Sequence, residues 1–342
     1  MISIDAMGGD IGPTVTVAGV AQVLGRGADS THFLLHGDKA ALTEMLDRFP
    51  RLCDRVEIRP SDSVVAMDAK PAHAMRRGRG SSMWNAIACV QSGEAAAAVS
   101  AGNTGALMAI SRLILRMVGA LDRPALVANW PTLKGATSVL DVGANVVCDA
   151  ERLVEFAIMG AAYHRAVHDL PRPRVGLLNI GTEHDKGHEE VKDADRILRA
   201  ASFAFDYLGF VEGDDIAKGS ADVIVTDGFT GNVALKTAEG LARFFRAELR
   251  ATFTDSLNGK LGALLARRSL RAMAARLDPG SINGSPFLGL NGVVVKSHGG
   301  ADANGFANAV RLAADLGRRD FAPTLARELE RLAPARSAAA SL

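Results

Sequence analysis

Short apolar, β-branched runs alternate along this chain with longer segments whose apolar residues recur every three or four positions. The first pattern predicts strands and the second predicts helices. Strands are expected at Ile2–Asp5, Phe33–His36, Val56–Arg59, Ala97–Ser100, Ala125–Trp130, Ser138–Val142, Val175–Asn179, Phe210–Glu212, Val223–Thr226 and Val293–Lys296. Helices are expected at Thr14–Leu24, Lys39–Arg48, Met83–Ser92, Asn103–Val118, Glu151–Val167, His188–Ala201, Asn232–Phe253 and Gly305–Asp315. This alternation is typical of βαβ units, so the sequence predicts an α/β fold with a largely parallel sheet.

The predicted domain organisation is simple. We expect residues 1–332 to form one domain and the Ala/Ser-rich residues 333–342 to form a disordered tail. Pro171–Arg174 carries two prolines and could separate two lobes, but we interpret it as the loop into the next strand. Leu257–Leu277 is basic, apolar and helical without a neighbouring strand, so we expect a helical protrusion at about residues 238–279.

Six predicted strands end in turns rich in Gly, Asn, Asp, Thr and Ser. These turns are Asp5–Asp10, Ser100–Gly105, Asp141–Asn145, Asn179–Glu183, Asp227–Asn232 and Ser297–Asp302. Glycine lets the backbone approach a ligand, and a following helix directs free N–H groups at it. In an open parallel sheet such turns gather at the carboxyl edge of the strands. The pattern therefore predicts an anion site built mainly of uncharged donors, with ordinary strand-to-helix corners as the alternative.

Composition and charge argue against several classes of protein. The 342 residues carry a net charge of +1, with 48% hydrophobic and 23% charged residues, which is typical of a globular protein without a field that attracts nucleic acid. The three cysteines lie far apart, which fits a reducing cytosol. Neither a signal peptide nor a sufficiently long apolar run is recognisable, so we expect a cytoplasmic protein.

Several kinds of active site are missing from the sequence. It contains no GxxxxGK[ST] loop, no GxGxxG after the first strand and no GxSxG elbow. The pairs His164/His168 and His184/His188 have helical spacing but no obvious third ligand, so neither a metal nor a cofactor is expected. Cys148 has no adjacent activating base, and we interpret it as a small buried hydrophobe.

Two turns supply the first candidate ligands. Asn103 and Thr104 begin a nearly all-apolar helix whose first turn could hold an anion, although Asn103 is also a good N-cap. Lys186 follows the Asn179–Glu183 turn, and a lysine suits phosphate, although it could equally be a solvated loop residue.

The last two turns supply the others. Asp227, Thr230 and Asn232 belong to the fifth turn, and Lys236 lies one helical turn past Asn232. His298 follows the last predicted strand beside two glycines, a place where a histidine is more often functional than in a helix interior.

Taken together, these motifs resemble the phosphate acyltransferases of bacterial phospholipid synthesis, which use acyl carrier protein as acyl donor. The similarity follows nearly the whole chain in order. The matching segments are Asp5–Asp10, Ser100–Gly105, Leu140–Asn145, Asn179–Glu183, Val211–Gly213, Asp227–Asn232 and Lys296–Gly299. The resemblance implies a three-layer α/β/α domain with a mostly parallel sheet, related to isocitrate dehydrogenase and phosphotransacetylase folds.

The resemblance also implies a reaction and its residues. A fatty acyl group would move from the carrier-protein thioester to inorganic phosphate, giving acyl phosphate for phospholipid synthesis. The catalytic residues implied are Lys186, Asn232 and His298. The substrate-binding residues implied are Asn103, Thr104, Gly105, Asn145, Gly181, Thr182, Asp227, Thr230, Gly231 and Lys236. Neither a metal nor a cofactor is implied, and no nucleic-acid partner is expected.

Further partners follow from the same resemblance. It implies a homodimer, peripheral contact with the inner face of the cytoplasmic membrane, and the downstream glycerol-3-phosphate acyltransferase as a further partner. The basic amphipathic pattern of Leu257–Leu277 predicts that this segment makes the membrane contact, and packing against Asn232–Phe253 or a partner subunit is the alternative. Arg76, Arg77 and Arg79 are expected to dock the acidic carrier protein.

Two alternatives stay open. A phosphotransacylase that takes coenzyme A thioesters would use the basic segment Lys70–Arg79 for a 3′-phosphate. A non-catalytic membrane scaffold would recruit lipid-synthesis enzymes through Leu257–Leu277, but it would leave the Asn- and Thr-lined turns unexplained.

Overall fold

A single sheet of eleven strands organises the chain. The structure, a computed structural model, describes residues 1–25, 31–276, 283–319 and 321–327. The strands are β1 (Ile2–Asp5), β2 (Phe33–Gly37), β3 (Val56–Pro60), β4 (Ala97–Ser100), β5 (Ala125–Thr132), β6 (Gly135–Leu140), β7 (Arg174–Leu178), β8 (Asp206–Val211), β9 (Val223–Val225), β10 (Ser285–Leu288) and β11 (Val293–Lys296). All ten predicted strands are present, and β10 is additional.

The two halves of the sheet run in opposite directions. The strand order is β3-β2-β1-β4-β11-β10-β5-β6-β9-β7-β8. The first five strands are parallel, and so are the last four. Between them the three pairings β11–β10, β10–β5 and β5–β6 are antiparallel, which reverses the direction. The expectation of one common carboxyl edge for all six turns was therefore wrong.

Helices cover both faces of this sheet. They are α1 (Pro13–Leu24), α2 (Lys39–Asp47), α3 (Pro71–Arg77), α4 (Ser82–Gln91), α5 (Thr104–Leu115), α6 (Ala150–His168), α7 (Glu189–Ala200), α8 (Gly213–Lys218), α9 (Gly228–Thr254), α10 (Leu257–Leu265), α11 (Arg267–Arg276) and α12 (Ala303–Arg318), with a short 3₁₀ turn at Pro50–Leu52. One apolar core joins the sheet to α1, α2, α6, α7 and α12, and a second joins it to α3, α4, α5 and α8. The fold is thus the predicted α/β/α class.

Helix α9 leads away from this core. It has 27 residues and is therefore about 40 Å long, yet its buried residues, Gly228 and Gly231, belong to the first turn. The predicted helix Leu257–Leu277 is a pair, α10 and α11, which meet at Ala266. Leu277 and the predicted tail at 333–342 lie outside the described residues, and the single-domain assignment of 1–332 stays a prediction. Across the described ranges, no helix is long and apolar enough to cross a bilayer.

Candidate active site

A cavity of about 780 Å³ lies over the middle strands of the sheet, between the first turn of α5 and one face of α9. Cross-strand neighbours lie on the same face of a sheet, and Ser285 pairs with Lys296 at this level. Five of the six Gly-rich turns contribute lining residues. These include Asp10, Thr104, Gly143, Asn232 and His298. Five of the predicted turns therefore converge here, although they follow strands that run in opposite directions.

The turns after β1, β4 and β11 interlock at one end of the cavity. The Asp10 N–H donates to the Gly299 carbonyl oxygen over 3.0 Å. Gly9 has φ of 94°, and a Cβ there would lie 3.0 Å from both the Ala101 Cβ and the Gly299 carbonyl oxygen. A side chain at Gly9 would be strained and would push these turns apart.

His298 is held in one tautomer by its own turn. The Gly300 N–H donates to His298 Nδ1 over 3.1 Å, so the proton of the neutral ring is on Nε2. Burial lowers the pKa of His298, and the positive charge of Lys236 acts in the same direction. His298 is therefore a neutral hydrogen-bond donor at neutral pH rather than a cation.

Asn283 fixes the backbone of His298, and the sequence reading missed this role. Its Oδ1 accepts from the His298 N–H over 2.9 Å, and its Nδ2 donates to Ser297 Oγ over 2.8 Å. The signal was available, because Asn283 opens an Asn-Gly-Ser-Pro stretch that reads as a turn.

Lys296 also lines the cavity and was not among the predicted site residues. It is 8% exposed, and its Nζ donates to the carbonyl oxygens of Ala101, over 3.2 Å, and Ser297. Burial lowers its pKa to about 8. A lysine at the end of a buried strand, beside a Gly-rich turn, is the sequence signal that could have identified it.

One face of α9 forms the opposite wall. The residues recur every three or four positions, as expected for one side of a helix, and they are Asn232, Leu235, Lys236, Glu239, Ala242, Arg243 and Arg246. Glu239 accepts from Lys236 Nζ over 2.9 Å and lies 3.8 Å from Arg243 Nη1. Two of the predicted residues, Asn232 and Lys236, thus lie on this wall.

Other predicted ligands are hydrogen-bonded within the protein. Asn103 caps α5, where its Oδ1 accepts from the Ala106 N–H over 2.9 Å, and its Nδ2 donates to the carbonyl oxygens of Met67 and Ala69. Only Thr104 of this turn is among the lining residues. A Cβ at Gly105 would lie 2.9 Å from Pro71 Cγ, so this glycine lets α3 pack against α5.

The fifth turn shows the same pattern. Asp227 caps α9 by accepting from the Thr230 N–H over 2.9 Å and from Thr230 Oγ1 over 2.7 Å. Neither side chain is among the cavity residues, whereas Asn232, at the end of the turn, is. The binding roles predicted for Asp227 and Thr230 stay predictions.

The third turn is built around a buried carboxylate. Asp141 Oδ1 accepts from the N–H groups of Leu126, Gly143 and Ala144, over 3.0 Å, 3.2 Å and 3.0 Å. Its Oδ2 accepts from both the backbone and the side-chain nitrogen of Asn145. Asn145, predicted to bind substrate, is 2% exposed and supports this turn instead of reaching the cavity lining.

The fourth turn lies apart from the cavity lining. Lys186 is exposed, and its backbone N–H donates to the Glu183 carbonyl oxygen over 3.2 Å. Gly181 and Thr182 belong to the same loop, which follows β7 in the reversed half of the sheet. The structure does not bring these three residues together with His298, and their substrate roles stay predictions.

Cys148 does not have the environment of a nucleophile. It is 7% exposed, burial raises its thiol pKa to about 12, and its Sγ contacts the Asn145 carbonyl oxygen over 3.7 Å. Its interpretation as a small buried hydrophobe agrees with this setting. No cluster of three or more metal-ligating side chains is present in the part of the chain that the structure describes.

Solved structures with a similar fold include phosphotransacetylases. One from Streptococcus pyogenes gives a TM-score of 0.62 at 16% identity, covering 93% of each chain. One from Staphylococcus aureus gives 0.59 at 15% identity, covering 92% of this chain and 93% of the other. At these identities the likeness shows the fold alone, an α/β/α fold that this chain shares with phosphotransacetylases.

Sequence comparison shows the family. The family model described as fatty acid synthesis protein matches residues 1–324. The phosphate acyltransferase of Caulobacter vibrioides is 62% identical over 332 residues, which cover 97% of this chain and 92% of the relative. That of Phenylobacterium zucineum is 58% identical, covering 99% and 96%. The chain belongs to this family and is a phosphate acyltransferase enzyme, as the sequence resemblance predicted.

Proposed function

We propose that this enzyme transfers a fatty acyl group from the thioester of acyl carrier protein to inorganic phosphate, releasing acyl phosphate. The observation that carries the proposal is the character of the cavity wall. Neutral donors, the buried Lys296 and the charged side chains of α9 line a cavity of about 780 Å³, and the hydroxyls in its wall, on Thr104 and Ser285, make no hydrogen bond to a histidine in the described part of the chain. Such a wall suits direct attack by a bound anion.

The chemistry needs no covalent enzyme intermediate. A phosphate oxygen forms a bond to the thioester carbonyl carbon, the carbonyl oxygen becomes an oxyanion, and the carbon–sulfur bond then breaks to release the carrier thiolate. The enzyme must hold two anionic partners together and stabilise the oxyanion by donors that are already in place. The Nε2–H of His298 and the amide of Asn232 are such donors on facing walls.

The start of α5 supports an anion at the same place. Thr104 is the first residue of α5 and lines the cavity. Asn103 caps the helix and is not among the residues that line the cavity. The N–H groups of a first helical turn favour a negative charge by fractions of a kcal/mol to about 2 kcal/mol. We assign this turn to the acceptor phosphate.

The carrier protein is proposed to dock on α3. Arg76 and Arg77 end this helix and Arg79 follows it; all three are exposed and make no ion pair among the described residues. Asn103 ties the segment before α3 to the start of α5, since it donates to Met67, which lines the cavity. We assign this basic group to the acidic carrier protein, which would deliver its acyl chain to the cavity from this side.

The helices beyond the core are proposed to serve a dimer and a membrane surface. α10 exposes Leu257, Leu261, Leu264 and Leu265, with 58% to 84% of each side chain accessible. α9 exposes Phe244 and Phe245 in the same part of the chain. We assign this protrusion to a partner subunit and to peripheral contact with anionic lipid on the cytoplasmic side, where the downstream glycerol-3-phosphate acyltransferase would receive the product.

A hydroxylamine trap tests the reaction. Enzyme, acyl carrier protein thioester and phosphate are mixed, and acyl hydroxamate is measured with and without phosphate. We expect phosphate-dependent hydroxamate together with one free carrier thiol for each acyl group lost. The matched reaction uses the same acyl group on coenzyme A. Faster transfer from coenzyme A would replace the proposal by the phosphotransacylase alternative, and no hydroxamate from either donor would overturn it.

A further inference from the structure

Lys296 ends β11 at the centre of a polar row across the sheet. Asp5 pairs with Ser100, and Ser100 pairs with Lys296, so the three residues end adjacent parallel strands at one level. Ser100 Oγ donates to Asp5 Oδ2 over 2.6 Å. Lys296 continues the row into the cavity, where Ser285 is its neighbour on the other side.

The hydrogen-bond partners of Lys296 are uncharged. Its ammonium group has three N–H donors, and the structure pairs it with two main-chain carbonyl oxygens, those of Ala101 and Ser297. Lys236, on the opposite wall, instead forms an ion pair with Glu239. Among the described residues, Lys296 is thus a buried cavity cation without a carboxylate within ion-pair distance.

A buried cation bonded only to carbonyl oxygens is poorly compensated. Removal from water strongly destabilises an ion unless an opposite charge replaces the lost hydration. The groups that act on Lys296 from the surrounding elements are Asp5 and Asp10 near β1, Lys236 on α9 and His298 in the following turn. Burial prevails over the two carboxylates and lowers the pKa of Lys296 to about 8. An anion bound in the cavity would supply the missing charge.

The position of Ala101 links Lys296 to the start of α5. Ala101 lies three residues before Thr104, the first residue of the helix, and Lys296 Nζ lies 3.2 Å from the Ala101 carbonyl oxygen. The ammonium group is therefore beside the turn whose first helical residue, Thr104, lines the same cavity. Two features that favour an anion meet at this point, a helix N-terminus and a buried cation.

We propose that Lys296 is a catalytic residue that binds the acceptor phosphate at the inner end of the cavity, beside the first turn of α5. The identity of the acceptor rests on the proposed function, whereas the anion site rests on the geometry of Lys296. The alternative is a structural lysine that only joins two turns through Ala101 and Ser297. The two roles differ in how phosphate binding responds to pH.

The experiment measures the KM for phosphate across pH in wild type, Lys296→Arg and Lys296→Met. Lys134→Met removes an exposed lysine from the β5–β6 turn and serves as the control. In wild type, the KM for phosphate should rise as pH passes the lysine pKa of about 8, because the free enzyme loses the binding cation. Arginine stays charged, so Lys296→Arg should show no such rise. Lys296→Met should lose roughly 10²-fold in kcat/KM for phosphate.

Folding and function are separated by two further measurements. Melting curves identify a Lys296→Met protein that fails to fold, in which case the pH profile of Lys296→Arg decides. Calorimetric titration with phosphate alone reports binding without any acyl donor. Weaker phosphate binding in folded Lys296→Met supports the assignment even if no acyl phosphate is formed. A folded Lys296→Met protein with wild-type KM and binding, or identical pH profiles for wild type and Lys296→Arg, would overturn it.

Discussion

Gly231 lies so close to Asp141 that a Cβ at this position would be 1.9 Å from the Asp141 carbonyl oxygen. The contact joins the first turn of α9 to the turn that follows β6. Asn232, the next residue, lines the cavity, so this close approach sets where the α9 wall begins. The glycine predicted from its motif to bind substrate thus has a packing role that motif reasoning did not reveal.

Gly231→Ala should lower the free energy of unfolding by more than about 3 kcal/mol, because neither backbone can yield without moving a buried turn. Denaturant titration measures the loss. Gly240→Ala is the control on the same helix, since a Cβ there meets no atom within 4 Å. That control should be neutral or stabilising by about 0.5–1 kcal/mol, as alanine favours a helix. Equal effects at both glycines would contradict the packing role.

The local elements were predictable, and the long-range arrangement was not. β1, β4 and β11 were predicted with their observed bounds because short buried strands read as continuous apolar runs. β10 was missed because Ser285 and Pro286 follow Asn283 and Gly284, which reads as a turn, and proline is rare inside a sheet. Without β10, no pattern in the sequence indicated that the second half of the sheet reverses.

The same limit applies to the site. An Asn or Asp before a helix can cap that helix or bind a ligand, and sequence cannot separate the two. The structure gives Asn103 and Asp227 capping bonds, while Thr104 and Asn232 line the cavity. Lys296 was not predicted as a site residue because a lysine at a strand end usually points to solvent. Its burial depends on strands that are distant in sequence.

His298 should act through a neutral N–H. His298→Ala is expected to lose ~10²–10³ in kcat, the usual cost of one donor aimed at developing charge. His298→Gln, which can place an amide N–H near Nε2, should recover part of that loss. Because burial lowers the pKa of His298, any fall of the wild-type kcat with decreasing pH should be centred below the ordinary histidine value of 6.5. Thiol release from the carrier protein, followed against pH, measures this, and a kcat that falls around pH 6.5 in wild type but not in His298→Gln would refute it.

Lys186→Ala tests a catalytic role outside the cavity lining. If Lys186 meets the developing charge of the oxyanion, its removal should lower kcat by ~10²-fold and leave the KM for phosphate nearly unchanged. At Lys296, by contrast, the KM for phosphate is expected to change. Lys192→Ala, in the neighbouring helix α7, is the control. If Lys186→Ala keeps wild-type turnover and an unchanged melting curve, Lys186 has no catalytic role.

The basic group on α3 should govern encounter with the carrier protein. Replacing Arg76, Arg77 and Arg79 by Glu should raise the KM for acyl carrier protein and weaken its dependence on ionic strength, because exposed charges act mainly on association. Steady-state kinetics at several salt concentrations provide the measurement. Lys39→Glu with Arg51→Glu reverses two exposed charges in the opposite layer and should change neither value. An unaltered salt response in the triple variant would place the docking surface elsewhere.

The leucines of α10 should decide whether the protrusion binds lipid. Leu261, Leu264 and Leu265 follow Leu257 by four, seven and eight positions, so the four leucines share one face of the helix. Exposed cations accompany this face in α10 and α11: Lys260, Arg267, Arg268 and Arg271. A basic amphipathic helix of this kind prefers anionic lipid and lies in the plane of the interface.

Leu261→Glu with Leu264→Glu should therefore abolish sedimentation with anionic vesicles while the protein stays dimeric and active on soluble substrates. Leu133→Glu is the matched control, because Leu133 is 88% exposed but lies in the β5–β6 turn, far along the chain from α10. Vesicles of neutral lipid should bind all forms weakly, since the cations contribute about 1 kcal/mol each only near an anionic surface. If the double variant instead dissociates to monomers and still sediments with anionic vesicles, the leucine face is the subunit interface and not the lipid contact.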